Sequence, residues 1–89
     1  MIRRELKVSN RLGLHARATA KLVQLLAGFR SHATLEARGR EVNAKSIMGV
    51  MLLAAGPGSE VVLRVEGEDE QAAADAVVAL FERRFDEDS

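Results

Sequence analysis

The chain contains no cysteine, tryptophan or tyrosine, and its 89 residues include a single proline. The absence of cysteine excludes disulfides, zinc–thiolate sites and thiol nucleophiles, and it fits a reducing compartment. Thirteen basic residues balance thirteen acidic ones, so there is no basic field to hold nucleic acid. No tryptophan or tyrosine is available to stack on bases either, and we therefore expect no nucleic-acid partner.

Long apolar runs are also absent. The longest, VMLLAA at residues 50–55, has six residues, whereas a membrane-spanning helix needs about 20. The first ten residues, MIRRELKVSN, lack the apolar core of a signal peptide. We therefore expect a cytoplasmic protein without membrane insertion. Apolar residues make up 47% of the chain, which is enough for one packed core, so residues 1–89 are expected to form a single domain.

Polar and apolar residues alternate in four stretches, with the period of two that is typical of half-buried strands. These stretches are residues 2–9, 32–37, a short segment around Val42 and residues 60–67. Helical spacing or a helix-start residue marks three further segments, namely 16–29, 46–54 and 69–85. The order β-α-β-β-α-β-α predicts an α+β fold, in which three helices cover one face of a four-stranded antiparallel sheet.

Each predicted element has one apolar side, and these sides together predict the core. The strands contribute Ile2, Leu6, Val8, Ala33, Leu35, Ala37, Val61, Leu63 and Val65. The helices contribute Thr19, Leu22, Val23, Leu26, Val50, Leu53, Ala54, Ala73, Ala76, Val77, Leu80 and Phe81. The acidic end DEDS, residues 86–89, is expected to be a frayed, solvated segment.

One of the two histidines, His15, lies where a loop is predicted to meet the first turn of a helix, in the stretch NRLGLHARATAKL. The first N–H groups of a helix lack partners, and with the helix dipole they stabilise an anion such as phosphate. The same positive end disfavours imidazolium, and a neutral ring nitrogen is a nucleophile. Arg17 can hold a phosphate with two hydrogen bonds, and Gly13 allows close approach of a partner. These residues are compatible with a phosphohistidine site, and the alternative is a surface histidine with no task.

Other catalytic sites are not indicated. The chain has no glycine-rich loop that could cradle a nucleotide and no carboxylate cluster for magnesium. No serine–histidine–aspartate set or pair of catalytic carboxylates can be argued either. We therefore expect no cofactor and no metal, and a phosphoryl group supplied by partner enzymes instead of ATP. The second histidine, His32, begins a strand on its solvent side and is expected to be structural.

The short predicted helix after Ser46 has apolar residues on more than one face. If one face is buried, Ile47, Met48 and Met51 lie largely outward. Exposed methionine and isoleucine in one patch indicate a protein-binding surface, and methionine suits several partners. The alternative is that loops cover this face as well. Ser46 itself is a natural N-cap.

The motif GLHAR at residues 13–17, followed by KSIMGVM at residues 45–51, resembles HPr. HPr is the histidine-containing phosphocarrier family of the bacterial phosphoenolpyruvate phosphotransferase system. The resemblance covers essentially the whole chain, and the two motifs in this order and spacing are highly specific. The segment ALFERRFDED, residues 79–88, is similar to the nitrogen-branch relative NPr. The resemblance implies an open-faced β-sandwich of four antiparallel strands and three helices.

The resemblance also implies roles for single residues. His15 corresponds to the histidine that enzyme I phosphorylates on Nδ1 and that IIA components discharge, and Arg17 to the arginine that accompanies it. Ser46 corresponds to the serine that HPr kinase/phosphorylase modifies in organisms with that enzyme. Partner contacts are expected for Leu14, Ala20, Ile47, Met48 and Met51. The implied protein is a monomeric phosphoryl carrier, not a stand-alone catalyst, in sugar uptake or nitrogen-branch regulation.

One position departs from the family pattern, because Ala18 stands where the family usually has proline. Alanine is an excellent helix former. The loss of proline lowers the free energy of unfolding by roughly 0.4–1 kcal/mol, because the unfolded chain gains conformational freedom. We interpret the change as tolerated, although it removes any partner contact that depends on the proline ring. Two alternatives stay open. One is a regulatory protein of this fold that acts by docking alone, and the other is a small-ligand-binding sandwich, which would need a polar pocket.

Overall fold

The computed structural model describes residues 1–87. This part of the chain contains four strands, β1 (Ile2–Lys7), β2 (His32–Ala37), β3 (Arg40–Asn43) and β4 (Glu60–Glu66), and three helices, α1 (Ala16–Ala27), α2 (Ile47–Leu52) and α3 (Glu70–Glu82). All strand pairs are antiparallel, in the order β1-β4-β2-β3 across the sheet. The predicted fold class and element order are confirmed. No helix within residues 1–87 is long and apolar enough to cross a membrane.

The core lies between one face of the sheet and the helices. Leu35 on β2 is fully buried, as are Leu63 and Val65 on β4, because these two strands occupy the centre of the sheet. Helix α3 packs against β1 and β4, and α1 packs against α2 and α3. The opposite face is polar: Arg64 donates to Glu36 across the two central strands at 2.6 Å. The sheet is therefore covered on one face only.

The two edge strands are less buried than their alternation predicts. Ile2 and Leu6 on β1 are half-buried, as is Val42 on β3. Strand β1 pairs only with β4, and β3 pairs only with β2. Each edge strand therefore has one side without a neighbouring strand to cover its side chains.

The buried faces of the long helices differ slightly from the predicted ones. Val23 and Ala76 are half-buried, whereas Ala18 and Ala74 are fully buried. Alanine is small enough to lie where a helix packs closely against its neighbours, and its low hydrophobicity makes such positions hard to recognise from the sequence. The remaining predicted positions on α1 and α3 are buried.

Helix α2 is shorter than predicted, and the predicted burial of Ala54 is wrong. The helix ends at Leu52, and Ala54 is exposed with φ of +50°. Val50 and Leu53 are buried as expected, but the turn at residue 54 then directs Ala55 into the core. The change of backbone direction breaks the helical spacing on which the prediction depended.

Helix α3 also ends earlier than the predicted residue 85, because residues 84–86 form a left-handed turn with φ between +55° and +62°. This conformation costs about 1–2 kcal/mol per residue for side chains other than glycine. Phe85 compensates by full burial, with its ring centroid 4.8 Å from that of Phe81. The Lys21 ammonium also donates to the Phe85 carbonyl at 2.8 Å. The turn brings the following residue back toward α1.

Asp69 joins the loop after α1 to the start of α3. One carboxylate oxygen accepts the Arg30 N–H at 2.8 Å. The other oxygen accepts the Ser31 N–H at 2.9 Å and also the Ser31 hydroxyl. The hydrogen bond from the Ser31 hydroxyl, followed by that from the Arg30 N–H, lowers the pKa of Asp69 from 3.8 to about 2. The ionised carboxylate therefore stabilises the folded state.

Asp69→Asn should remove a pH-dependent part of the stability. Because the folded pKa lies below the unfolded one, the contribution is complete above the unfolded value of 3.8 and is lost as the pH falls toward about 2. We expect the free energy of unfolding of the wild type to approach that of the variant across this window. Urea unfolding at a series of pH values measures it, with Asp75→Asn on the exposed side of α3 as the control. If the difference in the free energy of unfolding between wild type and Asp69→Asn stays constant with pH, the stabilising role of the ionised Asp69 is contradicted.

Candidate functional site

His15 immediately precedes α1 and caps its N-terminus, which agrees with its predicted place between loop and helix. Its φ and ψ are −76° and −179°, and the ring Nδ1 accepts the Arg17 N–H at 3.2 Å. Nδ1 therefore carries no proton, and its lone pair lies at the positive end of the helix. The side chain keeps 26% of its surface exposed, so the ring remains accessible to another molecule.

The loop before His15 is held against the segment that follows α2. The Leu14 N–H donates to the Ala55 carbonyl at 2.9 Å, and the Thr19 hydroxyl donates to the Leu14 carbonyl at 3.2 Å. Gly13 has φ of +69°, and a Cβ atom there would lie 2.6 Å from the Ala55 oxygen. Glycine is therefore required because the chain packs closely against itself at this point. The sequence instead suggested that Gly13 serves the close approach of a partner.

Glu87 contacts the other ring nitrogen of His15. The distance from His15 Nε2 to Glu87 Oε2 is 2.6 Å, and the second carboxylate oxygen accepts the Asn10 amide at 3.1 Å. Because Nδ1 is an acceptor, Nε2 carries the ring proton and donates to Glu87. Burial by itself raises the pKa of Glu87, but the hydrogen bonds from Asn10 and His15 and the charge of Arg17 outweigh it and lower this pKa.

Sequence reasoning missed Glu87, which it assigned to a solvated end. The residue lies 72 positions after His15, and its carboxylate is only 16% exposed. Nothing in the local pattern DEDS distinguishes it from an ordinary acidic segment, because the contact depends on the left-handed turn before it. Residues 88 and 89 of that segment lie outside the described part of the chain.

An open groove of about 720 Å³ lies beside the ring. Its lining includes three cationic side chains, those of Arg11, Arg17 and Lys21, and two carboxylates, those of Asp86 and Glu87. Arg17 was predicted here, whereas Arg11 and Lys21 were not, since neither belongs to a motif. An anion that enters the groove therefore meets cations from both the loop and α1, close to the free N–H groups of the helix.

An apolar patch covers the outer face of α2 and consists of Ile47, Met48, Met51 and Leu52. All four side chains are exposed, Met48 by 72%, which agrees with the outward placement predicted for the first three. Leu14 differs from its expected place at a contact surface, because only 5% of it is exposed and it belongs to the core. The side chain of Ala20 is half-buried.

Ser46 caps α2, as the sequence predicts. Its hydroxyl accepts the Gly49 N–H at 3.0 Å, and its own backbone is extended. The side chain is half-buried and directly precedes the apolar patch. A change of charge at Ser46 would therefore alter the patch without removing any core contact.

The fold and this site define a class of protein, a small histidine phosphocarrier. The family model described as "PTS HPr component phosphorylation site" matches residues 2–83. A phosphocarrier protein HPr from Xylella fastidiosa is 61% identical over 89 residues, which cover 100% of both chains. The crystal structure of HPr-C-His from Thermoanaerobacter tengcongensis has a TM-score of 0.97 and 42% identity, and covers 100% of both chains. The chain belongs to the HPr family of the phosphotransferase system.

Two further relatives represent branches of this family. A phosphocarrier protein NPr from Shewanella violacea is 38% identical over 88 residues, covering 99% of this chain and 97% of its own. The crystal structure of Crh, a Bacillus subtilis catabolite repression protein described as a swapped dimer, has a TM-score of 0.76 and 43% identity. It covers 94% of this chain and 97% of its own. The function is phosphoryl relay in the phosphotransferase system, and both the sugar and the nitrogen branch fit.

Proposed function

We propose that Nδ1 of His15 accepts a phosphoryl group from enzyme I and passes it to IIA components. The observation that supports this assignment is the hydrogen bond from the Arg17 N–H to Nδ1. It leaves an unprotonated nitrogen, which is a nucleophile, at the N-terminus of α1, which stabilises anions. The two requirements for holding a phosphoryl group on histidine therefore coincide at one atom.

The transfer step follows from this geometry. The Nδ1 lone pair forms the N–P bond while the bond between phosphorus and the donor breaks, and the electrons of that bond leave with the donor. The Arg17 N–H, released from the lone pair, then donates to a phosphoryl oxygen, and the Arg17 guanidinium balances the phosphoryl charge. Transfer to a IIA component repeats the exchange, with the nucleophile of the acceptor attacking phosphorus and the N–P electrons returning to Nδ1.

His15→Ala should abolish acid-labile labelling by enzyme I and phosphoenolpyruvate without unfolding the domain. The residue is a half-buried cap, and its replacement costs about 1 kcal/mol. Mass spectrometry of the intact protein measures the label, and circular dichroism checks the fold. His32→Ala is the matched control and should be labelled fully, because His32 is exposed at the start of β2. A label that persists without His15 would contradict the assignment.

The apolar patch is the surface on which we propose that enzyme I and the IIA components dock. Its helix packs against α1, so a partner seated on the patch lies next to the helix that carries His15 at its start. Leu12, which is exposed and lines the groove, is a further apolar side chain beside the ring. We further propose that residues 1–89 form one domain in the cytoplasm. We also propose that the protein is a monomer, because a patch that partners use has to stay uncovered.

Met48→Glu should weaken the binding of enzyme I at least tenfold, because a charge would have to be desolvated in an apolar interface. Met48 is exposed, so the melting temperature should change little. Calorimetric titration with enzyme I measures the affinity. Ala72→Glu, on the exposed side of α3, adds the same charge as a control. Sedimentation should give a monomer for all three proteins, and unchanged affinity in Met48→Glu would exclude the patch from the interface.

Ser46 is proposed as a second phosphorylation site, for an HPr kinase/phosphorylase where the host has one. Its hydroxyl already lies at the start of α2. A phosphate there adds about 1.5–2 negative charges at neutral pH, and the positive end of the helix stabilises them. The helix should therefore persist. The effect should fall on partners, because the new charge lies beside Ile47 and Met48 in the patch.

Ser46→Asp should keep the stability of the wild type, since aspartate is an equally good N-cap. It should accept phosphate from enzyme I more slowly at low salt, and the difference should shrink as salt screens the repulsion from an acidic partner surface. Rates of phosphorylation at several salt concentrations measure this. Ser9→Asp, an exposed serine after β1, controls for the added charge. Equal rates for Ser46→Asp and wild type at low salt would leave Ser46 as a cap alone.

A further inference from the structure

The carboxylate of Glu87 is held at two points against the reactive histidine. One oxygen is 2.6 Å from His15 Nε2, which is short for a hydrogen bond and typical of a charge-assisted one. The other oxygen is 3.1 Å from the amide of Asn10. Asn10 is fully buried and also donates to the Gly13 carbonyl at 2.8 Å, so its own position is fixed.

The chain before Glu87 adopts a costly conformation that delivers this carboxylate. Three consecutive residues, 84–86, have left-handed φ values without a glycine among them. The turn is anchored at its central residue, Phe85, by the burial of its ring and by the hydrogen bond of Lys21 to its carbonyl. A solvated end would not need such anchors, because it would relax to an ordinary extended chain.

The two ring nitrogens of His15 therefore face different surroundings. Nε2 is covered by the short contact with Glu87, whereas Nδ1 has only the longer contact of 3.2 Å with the Arg17 N–H. We propose that Glu87 is a positioning residue that covers Nε2 and so directs the phosphoryl group to Nδ1. This inference rests on the proposed function of His15. It states that the Glu87 side chain determines which of the two ring nitrogens is phosphorylated.

The same contact supports the charge that the step creates. When the Nδ1 lone pair forms the N–P bond, Nε2 keeps its proton and the ring gains a positive charge. The Glu87 carboxylate already accepts that proton's hydrogen bond, so no new ordering is required. Loss of the carboxylate should therefore move the phosphoryl equilibrium toward the donor by about tenfold, as expected for one charge-assisted hydrogen bond.

A small phosphoryl donor tests the choice of nitrogen without any partner protein. Potassium phosphoramidate phosphorylates histidine rings at either nitrogen, and ³¹P NMR together with chromatography of an alkaline hydrolysate separates the two isomers. The reaction is run on the full chain in a His32→Ala background, so that the label reports His15 alone. We expect the parent protein to give the Nδ1 isomer. An Nε2 isomer as its main product would overturn the proposal.

Three substitutions of Glu87 separate covering from charge. Glu87→Ala uncovers Nε2 and should give both isomers, because the Arg17 N–H then acts alone in keeping the lone pair on Nδ1. Glu87→Asp keeps the charge but is one methylene shorter, so it should also lose selectivity. Glu87→Gln keeps the length and an acceptor oxygen, so it should retain the Nδ1 isomer and lose only the tenfold in equilibrium. Glu82→Ala, which removes an exposed carboxylate from α3, is the matched control and should behave as the parent.

The outcomes distinguish the two proposals. If enzyme I fails to label His15, the proposed function is wrong, but the isomers formed by phosphoramidate still report on Glu87. If enzyme I labels His15 and both Glu87→Ala and Glu87→Asp give the Nδ1 isomer alone, as the parent does, the role of Glu87 is wrong and the relay stands. Melting curves identify any variant that fails to fold, and the folded Glu87→Asp variant then decides the question together with the parent protein.

Discussion

The hydrogen bond from the Arg17 N–H to His15 Nδ1 is the interaction on which the site depends. Helices are usually capped by an oxygen of serine, threonine, aspartate or asparagine, and that oxygen has no other task. Here the capping atom is also the nucleophile of the proposed transfer, so one contact fixes both the start of α1 and the lone pair that would react. At 3.2 Å the bond lies at the long end of its class, which is compatible with a contact that opens in the proposed transfer.

A phosphoryl carrier has to bind the phosphoryl group and still release it readily, and the charges around the His15 ring are consistent with this requirement. Three cationic side chains line the groove, but Asp86 and Glu87 offset most of their charge. The groove is open, so water and partner nucleophiles reach the same side as the donor. An enclosed, strongly basic pocket would hold phosphate more firmly and release it more slowly.

The sequence predicts the fold well because most of it follows local periodicity. The alternation in β2 and β4 places Leu35 and Leu63 correctly. The cap at Ser46 and the place of His15 just before α1 follow from their positions before apolar helices. What could not be predicted depends on changes of chain direction. The positive φ values at Ala54 and in the turn after α3 fall on residues other than glycine, so the sequence does not indicate them. The contact between Glu87 and His15 depends on the second of these turns.

The close packing of Gly13 on Ala55 has a mechanical consequence. Residue 55 follows the helix that bears the apolar patch, and its carbonyl accepts a hydrogen bond from the N–H of Leu14, the neighbour of His15. The segment that follows the apolar patch and the loop that carries His15 are therefore joined by direct backbone contacts. A partner that docks on the patch, as proposed, would meet the ring at a position that these contacts help to set. One small carrier can in this way serve several unrelated partners by presenting a constant shape to each of them.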